Sequence, residues 1–389
     1  MFSRALQLVR RDYVDGADLS YRDLIRAAVK GMLSSLDPHS EFLEPQNYQD
    51  LKTDTEGEFG GLGITVSPRA TGPTVIAVTD ETPASKAGIL PGDVITAVAG
   101  QSVVQAPLSD VVLQLRGRPG TAVRLTILRP ATGEEAEHEL TRAIIPVWTV
   151  LDLAGGRQFP LLEGGIGYLR IVQFGEKTGD EVEEALRMLR AAGAKGLVMD
   201  LRDNPGGLLE AAVDVASHFL PAGQLVVSTE GRHPSQRAEY RADGRGRSQR
   251  LPPAVLVNAA TASAAEIVAG SFKDVGRARL FGEQTFGKGS VQSILPLPDG
   301  TALRLTTAKY YTPAHEVIHE QGIAPDSLVT LTDEELRHLY FQRAPGGLEA
   351  LPPAERALAA QTRDLQLERA VDYLRGVVML SSRRASAEA

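Results

Sequence analysis

The chain has 389 residues, of which 43% are hydrophobic and 23% charged, which is the composition of an ordinary globular protein. Its formal net charge of −8 argues against a general nucleic-acid binder, and the absence of cysteine excludes disulfides, thiolate catalysis and cysteine metal sites. No apolar run reaches the roughly 18 residues that a membrane-spanning helix needs. The first residues lack the apolar core of a signal peptide, so we expect any export leader to be absent from this chain.

The first fifty residues are predicted to be mostly helical, because Leu6, Val9 and Tyr13 recur at helical spacing. Pro38 then predicts a turn-rich connection in the segment SLDPHSEFLEP. His39 in this connection is either a general base or a histidine that helps to hold a turn. The second interpretation is favoured, because no nucleophile lies nearby in the sequence.

A small β-rich unit is predicted to follow, at about residues 56–145. Gly60, Gly61 and Gly63 allow a backbone nest that could bind a carboxylate. The strand at residues 64–67 could pair with an added peptide strand, and a helix at residues 109–115 could wall the resulting groove.

This unit resembles a PDZ domain. The letters GLGI match the carboxylate loop of that domain, and AGILPGDVI, residues 87–95, is a second signature in the right order. The resemblance implies that Gly61, Leu62, Gly63 and Ile64 bind the tail of a substrate. The alternative is a small β-domain without a ligand.

From residue 166 onward, strands and helices alternate. Strands are predicted at residues 166–174, 196–202, 224–229 and 254–257, and helices at residues 178–193, 208–220 and 263–276. Two strand–turn–helix units result, one through NPGG at residues 204–207 and one through Ser263. The carboxyl ends of parallel strands share one edge of a sheet, so we expect both turns to line one crevice. Gly206 and Gly207 could present N–H groups there as an oxyanion hole, and a simple tight turn is equally compatible with this motif.

The rest of the chain contains three further predicted segments. Residues 230–250 hold six arginines, which favours a solvated hairpin or loop over a basic binding patch. A hairpin with its turn at Asp299 and Gly300 follows. Residues 364–380 predict an amphipathic helix, and residues 381–389 a disordered end.

The residues around Ser263 and Lys288 are the strongest candidates for chemistry. Ser263 stands at a helix start, where free N–H groups stabilise negative charge. A serine needs an adjacent base, and a buried lysine with a lowered pKa can provide one. We expect Lys288 to lie in an apolar pocket formed by Phe281, Phe286, Val291 and Ile294. Gln292 could hold the lysine amine through its carbonyl oxygen.

Rival residues are weaker candidates. Thr261, Ser271 and Ser290 are less suitable nucleophiles by position, and Lys273 stands on a polar helical stretch. The segment His315–His319 reads HExxH, which is the zinc-protease signature. That chemistry needs a sustained helix and a third ligand, and the neighbouring prolines and glycines leave little room for one.

The segments VNAATASAAEIVAGSFKD and GEQTFGKGSVQ resemble the catalytic core of the carboxy-terminal processing peptidases, also called tail-specific proteases. SLDPHSEFL, FGGLGI, DLRDNPGG, LRLTTAKYYTP and QGIAPD extend this resemblance over nearly the whole chain. It implies a dyad of Ser263 and Lys288 with Gln292 as a third member, and an oxyanion hole made by Ala264 and a glycine of NPGG. Around the nucleophile, the family usually shows glycines and more serines, whereas this chain has Ala259, Ala260, Thr261 and Ala265.

The implied fold is α/β, a ClpP/crotonase-like mixed sheet-and-helix protease core with an inserted PDZ domain. The expected division is an N-terminal helical region at 1–55, the PDZ domain at 56–146, the protease core at 147–332 and a C-terminal helical region at 333–389. No metal or cofactor is predicted.

The resemblance implies a serine endopeptidase that recognises apolar C-terminal tails of proteins and cuts by an acyl-enzyme mechanism. It also implies an extracytoplasmic location and a homodimer through the terminal helices. Arg116 and Arg118 could couple tail binding to opening of the active site. A non-catalytic PDZ-containing binding protein is the alternative from another class.

Overall fold

A computed structural model describes residues 1–16, 19–56, 58–69, 71–79, 81–244, 251–344 and 347–388. Its helices are α1 (Phe2–Asp12), α2 (Tyr21–Ser34), α3 (Pro45–Glu56), α4 (Pro83–Lys86), α5 (Leu108–Leu115), α6 (Thr178–Ala191), α7 (Leu209–Ser217), α8 (Ala264–Asp274), α9 (Asp333–Arg343), α10 (Gly347–Ala350), α11 (Pro353–Gln361) and α12 (Leu365–Glu388). Its strands are β1 (Glu41–Leu43), β2 (Glu58–Gly61), β3 (Ile64–Arg69), β4 (Gly72–Val78), β5 (Val94–Val98), β6 (Gln101–Ser102), β7 (Ala122–Arg129), β8 (Glu134–Thr141), β9 (Ala143–Pro146), β10 (Val150–Leu151), β11 (Ile166–Ile171), β12 (Gly196–Asp200), β13 (Leu225–Gly231), β14 (Ala238–Arg241), β15 (Pro253–Val257), β16 (Arg279–Gly282), β17 (Ser290–Pro296), β18 (Ala302–Tyr311) and β19 (Ser327–Leu328). The mixed α/β class is confirmed.

The first core sheet carries the predicted alternation of strands and helices. Its strand order is β10-β11-β12-β15-β16-β19, and all neighbours pair in parallel except β10 with β11. Every residue of β12 and β15 is buried, as their continuous apolar sequences predict for strands covered on both faces. Because β12 and β15 are parallel neighbours, the turns that follow them emerge at the same edge.

A second core sheet has the order β1-β18-β13-β14, with β17 on the other side of β18. The predicted hairpin around Asp299 forms its β17–β18 pair. Strand β1 comes from the N-terminal region, where only helices and a turn were expected, and pairs antiparallel with β18. The N-terminal region therefore contributes a strand to the sheet that carries Gln292.

The main apolar core lies between the sheets and includes the buried faces of α6, α7 and α8. A smaller core lies between the first sheet and α12, where Phe281 packs with Leu256 and Leu374. The predicted disorder of residues 381–389 is wrong as far as Glu388, because α12 continues to that residue. Alanine, arginine and glutamate in this stretch are good helix formers. Ala389 lies outside the described residues.

The small β-unit has its own sheet, ordered β3-β4-β5-β7-β8, with β6 on β5 and a separate apolar core. A two-stranded ribbon of β2 and β9 stands at its entry and exit. Of the three glycines predicted to form a nest, Gly60 and Gly61 belong to the ribbon, and Gly63 has a positive φ of +81°. A Cβ on Gly60 would lie 2.0 Å from the carbonyl oxygen of Gly117, so Gly60 serves the close approach of two backbones.

The predicted arginine-rich hairpin is present in its described part, because β13 and β14 pair antiparallel. Residues 245–250 lie outside the described residues. Throughout the described ranges, no helix combines the length and the apolar character that crossing a membrane requires.

Candidate active site

Ser263 stands on a sharp turn between β15 and α8. Its backbone has φ 55° and ψ −117°, a conformation that a non-glycine residue rarely adopts. Such strain is characteristic of functional sites. Only 7% of the residue is exposed, and it is the N-cap of α8. The turn therefore holds the hydroxyl at the N-terminal end of a buried helix.

Side chains tie the turn of Ser263 to the NPGG turn. Asn258 Nδ2 donates to Asp203 Oδ1 at 2.7 Å, and Thr261 Oγ1 donates to the carbonyl of Leu201 at 2.9 Å. The N–H of Ala262 donates to the carbonyl of Asn204, also at 2.9 Å. The two strand–turn–helix units that the sequence predicts are thus fixed to each other.

The NPGG turn places its first glycine against the serine. Gly206 has a φ of +98°, and a Cβ built there would lie 2.7 Å from the Cβ of Ser263. Its own N–H donates to Asn204 Oδ1 at 2.8 Å. Among the described residues, the N–H groups of Gly207 and Ala264 donate to no protein acceptor. These two groups are therefore the ones available to an oxyanion.

Lys288 is half-buried, and the aromatic part of the apolar pocket predicted around it is wrong. Phe281 packs on the other side of the first sheet and Phe286 is 61% exposed. The backbone of the segment after β18 packs against the glycine that follows the lysine: a Cβ on Gly289 would lie 2.2 Å from the N atom of His319. Burial lowers the pKa of Lys288 and the Arg304 cation lowers it further, while the carboxylates of Glu41 and Glu266 act in the opposite direction.

Glu266 links the serine to the lysine, and the sequence analysis missed it. Its Oε2 accepts the N–H of Ser263 at 2.8 Å and the N–H of Lys288 at 2.8 Å. Its Oε1 accepts the hydroxyl of Thr285 at 2.5 Å and the N–H of Gly287 at 2.7 Å. Burial raises the pKa of Glu266 despite these bonds. The signal that could have found it is the capping-box spacing, a glutamate three residues after a helix-capping serine.

Gln292 begins the regular part of β17 after a bulge. Its Nε2 donates to Ser290 Oγ at 2.8 Å and to Thr306 Oγ1 at 3.4 Å. Within the described residues, Ser263 Oγ, Lys288 Nζ and Gln292 make no hydrogen bond to one another. The structure therefore brings Ser263 and Lys288 together through their backbones and leaves their side chains separate.

The rival nucleophiles and base have other partners. The hydroxyl of Thr261 donates to the carbonyl of Leu201, and Ser271 Oγ donates to the carbonyl of Val268 at 3.0 Å inside α8. Ser290 accepts from Gln292, and Lys273 Nζ donates to the carbonyl of Ala324 at 2.9 Å. None of these four groups contacts Ser263 or Lys288 through a described hydrogen bond.

The HExxH segment forms turns and not a helix. His315 stacks on Tyr311 with ring centroids 4.7 Å apart and has a φ of +63°. His319 lies beside Glu320 and against Gly289. The described residues contain no group of three or more histidines, cysteines or carboxylates that could hold a metal ion. The helical geometry required for zinc-protease chemistry is therefore missing from this segment.

His39 lies in a turn in which its N–H donates to Asp37 Oδ1 at 2.8 Å. Burial and then the Lys288 cation lower the pKa of this imidazole. The turn thus places His39 on the lysine side of the site, and Asp37 holds the turn through its carboxylate.

The predicted tail-binding residues lie where the ribbon enters the small β-unit. Gly61 ends β2, Leu62 is buried, and Ile64 begins β3. Among the described strands, β3 pairs with β4 alone, so its other edge faces α5. Arg116 and Arg118 follow α5 in a loop whose Gly117 N–H donates to the carbonyl of Gly60 at 3.0 Å.

Comparisons with known proteins agree with this architecture. Residues 165–329 match the model of peptidase family S41, and residues 60–140 match the PDZ domain model. A carboxy-terminal-processing protease of Bartonella bacilliformis is 39% identical over 398 residues, covering 97% of this chain and 88% of the relative. A carboxyl-terminal-processing protease of Synechocystis sp. is 37% identical over 385 residues, covering 97% and 83%.

A solved structure from Bacteroides fragilis, assigned to the S41 proteases, has a TM-score of 0.51 and 18% identity, covering 92% of this chain and 97% of that one. It supports the fold. The two sequence relatives share far more identity over nearly the whole chain. The chain therefore belongs to peptidase family S41, whose carboxyl-terminal processing proteases are serine peptidases, and it carries a PDZ domain.

Proposed function

We propose that this serine peptidase cuts protein substrates by a Ser–Lys mechanism, with Ser263 as nucleophile, Lys288 as general base and Gln292 as the residue that holds the lysine amine. One observation carries this proposal. A single oxygen of Glu266 accepts the N–H groups of both Ser263 and Lys288, so these two backbones are no more than two hydrogen bonds apart. A serine at a strained helix start and a lysine of lowered pKa are thereby held together.

In the proposed reaction, the neutral amine of Lys288 takes the proton of Ser263 Oγ as this oxygen attacks the peptide carbonyl. The N–H groups of Ala264 and Gly207 stabilise the oxyanion. The lysine ammonium then gives its proton to the leaving amine, and water hydrolyses the acyl-enzyme with the lysine again as base. The separate Ser263 and Lys288 side chains fit a resting enzyme in which peptide binding closes the dyad.

The PDZ domain is proposed to capture apolar C-terminal tails through residues 61–64. The edge of β3 and the flank of α5 form a groove into which an extended peptide can add as a strand. The name of the relatives, processing proteases of carboxyl termini, supports a substrate of this kind. The proposed division of the chain remains 1–55, 56–146, 147–332 and 333–389.

Two broader proposals concern assembly and location. Helix α1 buries no residue and exposes Phe2 and Val9, which supports a homodimer through the terminal helices. Light scattering of the full chain would contradict this if it gave a monomer at every concentration. An extracytoplasmic location is proposed from the resemblance to the carboxy-terminal processing peptidases, and recovery of the natural protein only with cytoplasmic markers would contradict that.

The dyad is tested with a peptide that ends in an apolar tail. Ser263→Ala and Lys288→Ala are each expected to abolish cleavage, because the nucleophile and its base act as one unit. The matched controls are Ser271→Ala in the same helix and Lys273→Ala near its end, and both should cleave normally. Mass spectrometry of the products gives the readout. Full activity of Ser263→Ala would refute the proposal, and binding without cleavage by the unmodified chain would favour the non-catalytic alternative.

Arg116 and Arg118 are proposed to couple tail binding to the active site, because their loop touches the ribbon that joins the PDZ domain to the core. We expect Arg116→Ala or Arg118→Ala to reduce the activation of cleavage by a separate C-terminal peptide. The basal rate on a tail-free substrate should not change. Normal activation in both variants would contradict the coupling.

A further inference from the structure

A turn in the N-terminal region reaches the strand that pairs with Gln292. Asp37 holds this turn, because its Oδ1 accepts the N–H groups of His39 at 2.8 Å and Ser40 at 2.9 Å. Its Oδ2 accepts the hydroxyl of Ser40 at 2.7 Å. Ser40 Oγ in turn accepts the N–H of Thr306 in β18 at 3.1 Å. The turn is therefore fixed both internally and to the second core sheet.

Thr306 connects this turn to Gln292. Its hydroxyl donates to Asp37 Oδ1 at 3.1 Å, and Gln292 lies directly opposite in the β17–β18 register. Gln292 Nε2 reaches Thr306 Oγ1 at 3.4 Å in addition to its shorter bond to Ser290. Asp37, Thr306 and Gln292 thus form a continuous chain of polar contacts from the N-terminal turn to the proposed active site.

The direction of these hydrogen bonds follows from the ionised state of Asp37. Burial raises the pKa of this carboxyl, but the hydrogen bonds from Ser40, His39 and Thr306 outweigh it and hold the pKa below its usual value. An ionised carboxylate only accepts hydrogen bonds, so the single proton of the Thr306 hydroxyl points to Asp37. The Thr306 oxygen can then only accept from Gln292, and the amide nitrogen must face it.

We propose that Asp37 and Thr306 are positioning residues of the peptidase, which orient the Gln292 amide so that its carbonyl oxygen is presented to the Lys288 amine. This inference rests on the proposed Ser–Lys mechanism. With its nitrogen directed to Thr306 and Ser290, the amide keeps Oε1 as the acceptor for the ammonium form of the lysine. If the amide were inverted, its N–H donors would face the N–H donors of the lysine, and no hydrogen bond could hold the base.

The neighbouring residue Thr307 provides a matched control. Its hydroxyl pairs across the same two strands with Ser293 Oγ at 2.7 Å and, within the described residues, makes no hydrogen bond to Asp37. Thr306→Val and Thr307→Val therefore remove the same hydroxyl from adjacent positions of one strand. Only the first removes the link between the turn and Gln292.

The experiment measures kcat, KM and the pH dependence of kcat/KM for cleavage of an apolar-tailed peptide. Thr306→Val is expected to lower kcat on the order of tenfold, because a misplaced base loses its near-attack geometry. The acid limb of the pH profile should move to lower pH, since a carbonyl acceptor favours the ammonium form and its loss lowers the lysine pKa. Thr306→Ser should restore both properties, and Thr307→Val should match the unmodified protein.

A double-mutant cycle separates positioning from general destabilisation. In a Gln292→Ala background, Thr306→Val should cause no further loss of kcat. Asp37→Ala in the same background should also cause none. Additive losses, or a Thr306→Val variant with an unchanged rate and pH profile, would overturn the inference. Thermal unfolding of each variant shows whether it is folded. If Thr306→Val does not fold, the same measurements on Asp37→Ala test the inference. If Ser263→Ala is inactive and Thr306→Val is unaffected, the positioning role of Asp37 and Thr306 is refuted and the proposed function stays intact.

Discussion

Ser263 and Lys288 are held in the structure by different means. Ser263 is buried on a turn between a buried strand and a buried helix, and its backbone conformation is strained. Lys288 follows an irregular segment between β16 and β17, where the main chain is fixed but the amine has no described hydrogen bond. The nucleophile is thus positioned by its backbone, whereas the base depends on the groups around its side chain.

This difference indicates where the proposed enzyme can be regulated. A backbone-held serine can be displaced only by disturbing the core, so changes there should be severe and insensitive to pH. A lysine amine responds to neighbouring charges and hydrogen bonds, so changes there should be graded and visible in pH profiles.

Among changes that leave Ser263 and Lys288 in place, Glu266→Gln should have the largest effect, because this carboxylate fixes the backbones of both residues. On the Ser263 and Lys288 side the NH₂ group of the new amide would oppose two N–H donors. On the other side it would oppose the N–H of Gly287, and the Thr285 hydroxyl would have to rotate away from its present bond to accept from it. Unpaired buried donors cost about 1–3 kcal/mol each, so we expect a loss of about 3 kcal/mol in the free energy of unfolding. Peptide cleavage should fall on the order of a hundredfold or more. Chemical denaturation and the cleavage assay measure the two effects.

Glu283→Gln is the control for this prediction. Glu283 is half-buried, and among the described residues its side chain accepts one N–H, from Leu331 at 3.2 Å, which the amide oxygen of glutamine can also accept. This variant should stay near the unmodified protein in both assays. Equal behaviour of the two variants would mean that Glu266 does not organise the site.

Most of the fold could be predicted from the sequence because local signals agreed with tertiary packing. The continuous apolar strands β12 and β15 and the helices after them lie where their patterns indicated. The strand β1 was missed, because Glu41–Leu43 is too short to show alternation and exists only through pairing with β18. Residues 381–388 were misjudged because a polar composition was interpreted as disorder.

The site could be predicted only as far as residue types and spacing carry information. Ser263, the NPGG turn and Lys288 could be selected as candidates because strand–turn–helix patterns and flanking glycines are local features. The aromatic pocket failed because sequence proximity does not say on which side of a sheet a residue packs, and Phe281 packs towards α12. The Glu266 bridge and the Asp37–Thr306 contact join segments far apart in the chain, and hydrogen bonds of this kind have no local pattern.

Gly206→Ala tests the serine side more mildly than Glu266→Gln. A methyl group there would lie 2.7 Å from Ser263 Cβ and 2.8 Å from the carbonyl oxygen of Ala262, so the nucleophile turn must shift. We expect cleavage to fall on the order of a hundredfold, without a change in the shape of its pH profile. Gly223→Ala is the control, because Gly223 has a φ of +81° and open space around its position. Gly223→Ala carries the same backbone strain, about 1 kcal/mol, but should cleave normally. Equal losses of cleavage activity in the two variants would mean that strain alone causes the effect.

The smallest expected effects concern Arg304 and Glu41, which form an ion pair at 2.8 Å on the lysine side. Arg304 lowers the pKa of Lys288 and Glu41 raises it. Arg304→Gln should therefore move the acid limb of the pH profile to higher pH, and Glu41→Gln should move it to lower pH. Both side chains are partly exposed, so we expect displacements of a few tenths of a pH unit that shrink at high salt. Displacements in opposite directions cannot arise from general destabilisation, because that would lower the cleavage rate without moving the acid limb in opposite directions for the two variants. Displacements of the same sign would show that the base does not respond to these charges, and the contrast between a rigid nucleophile and a tunable base would then fail.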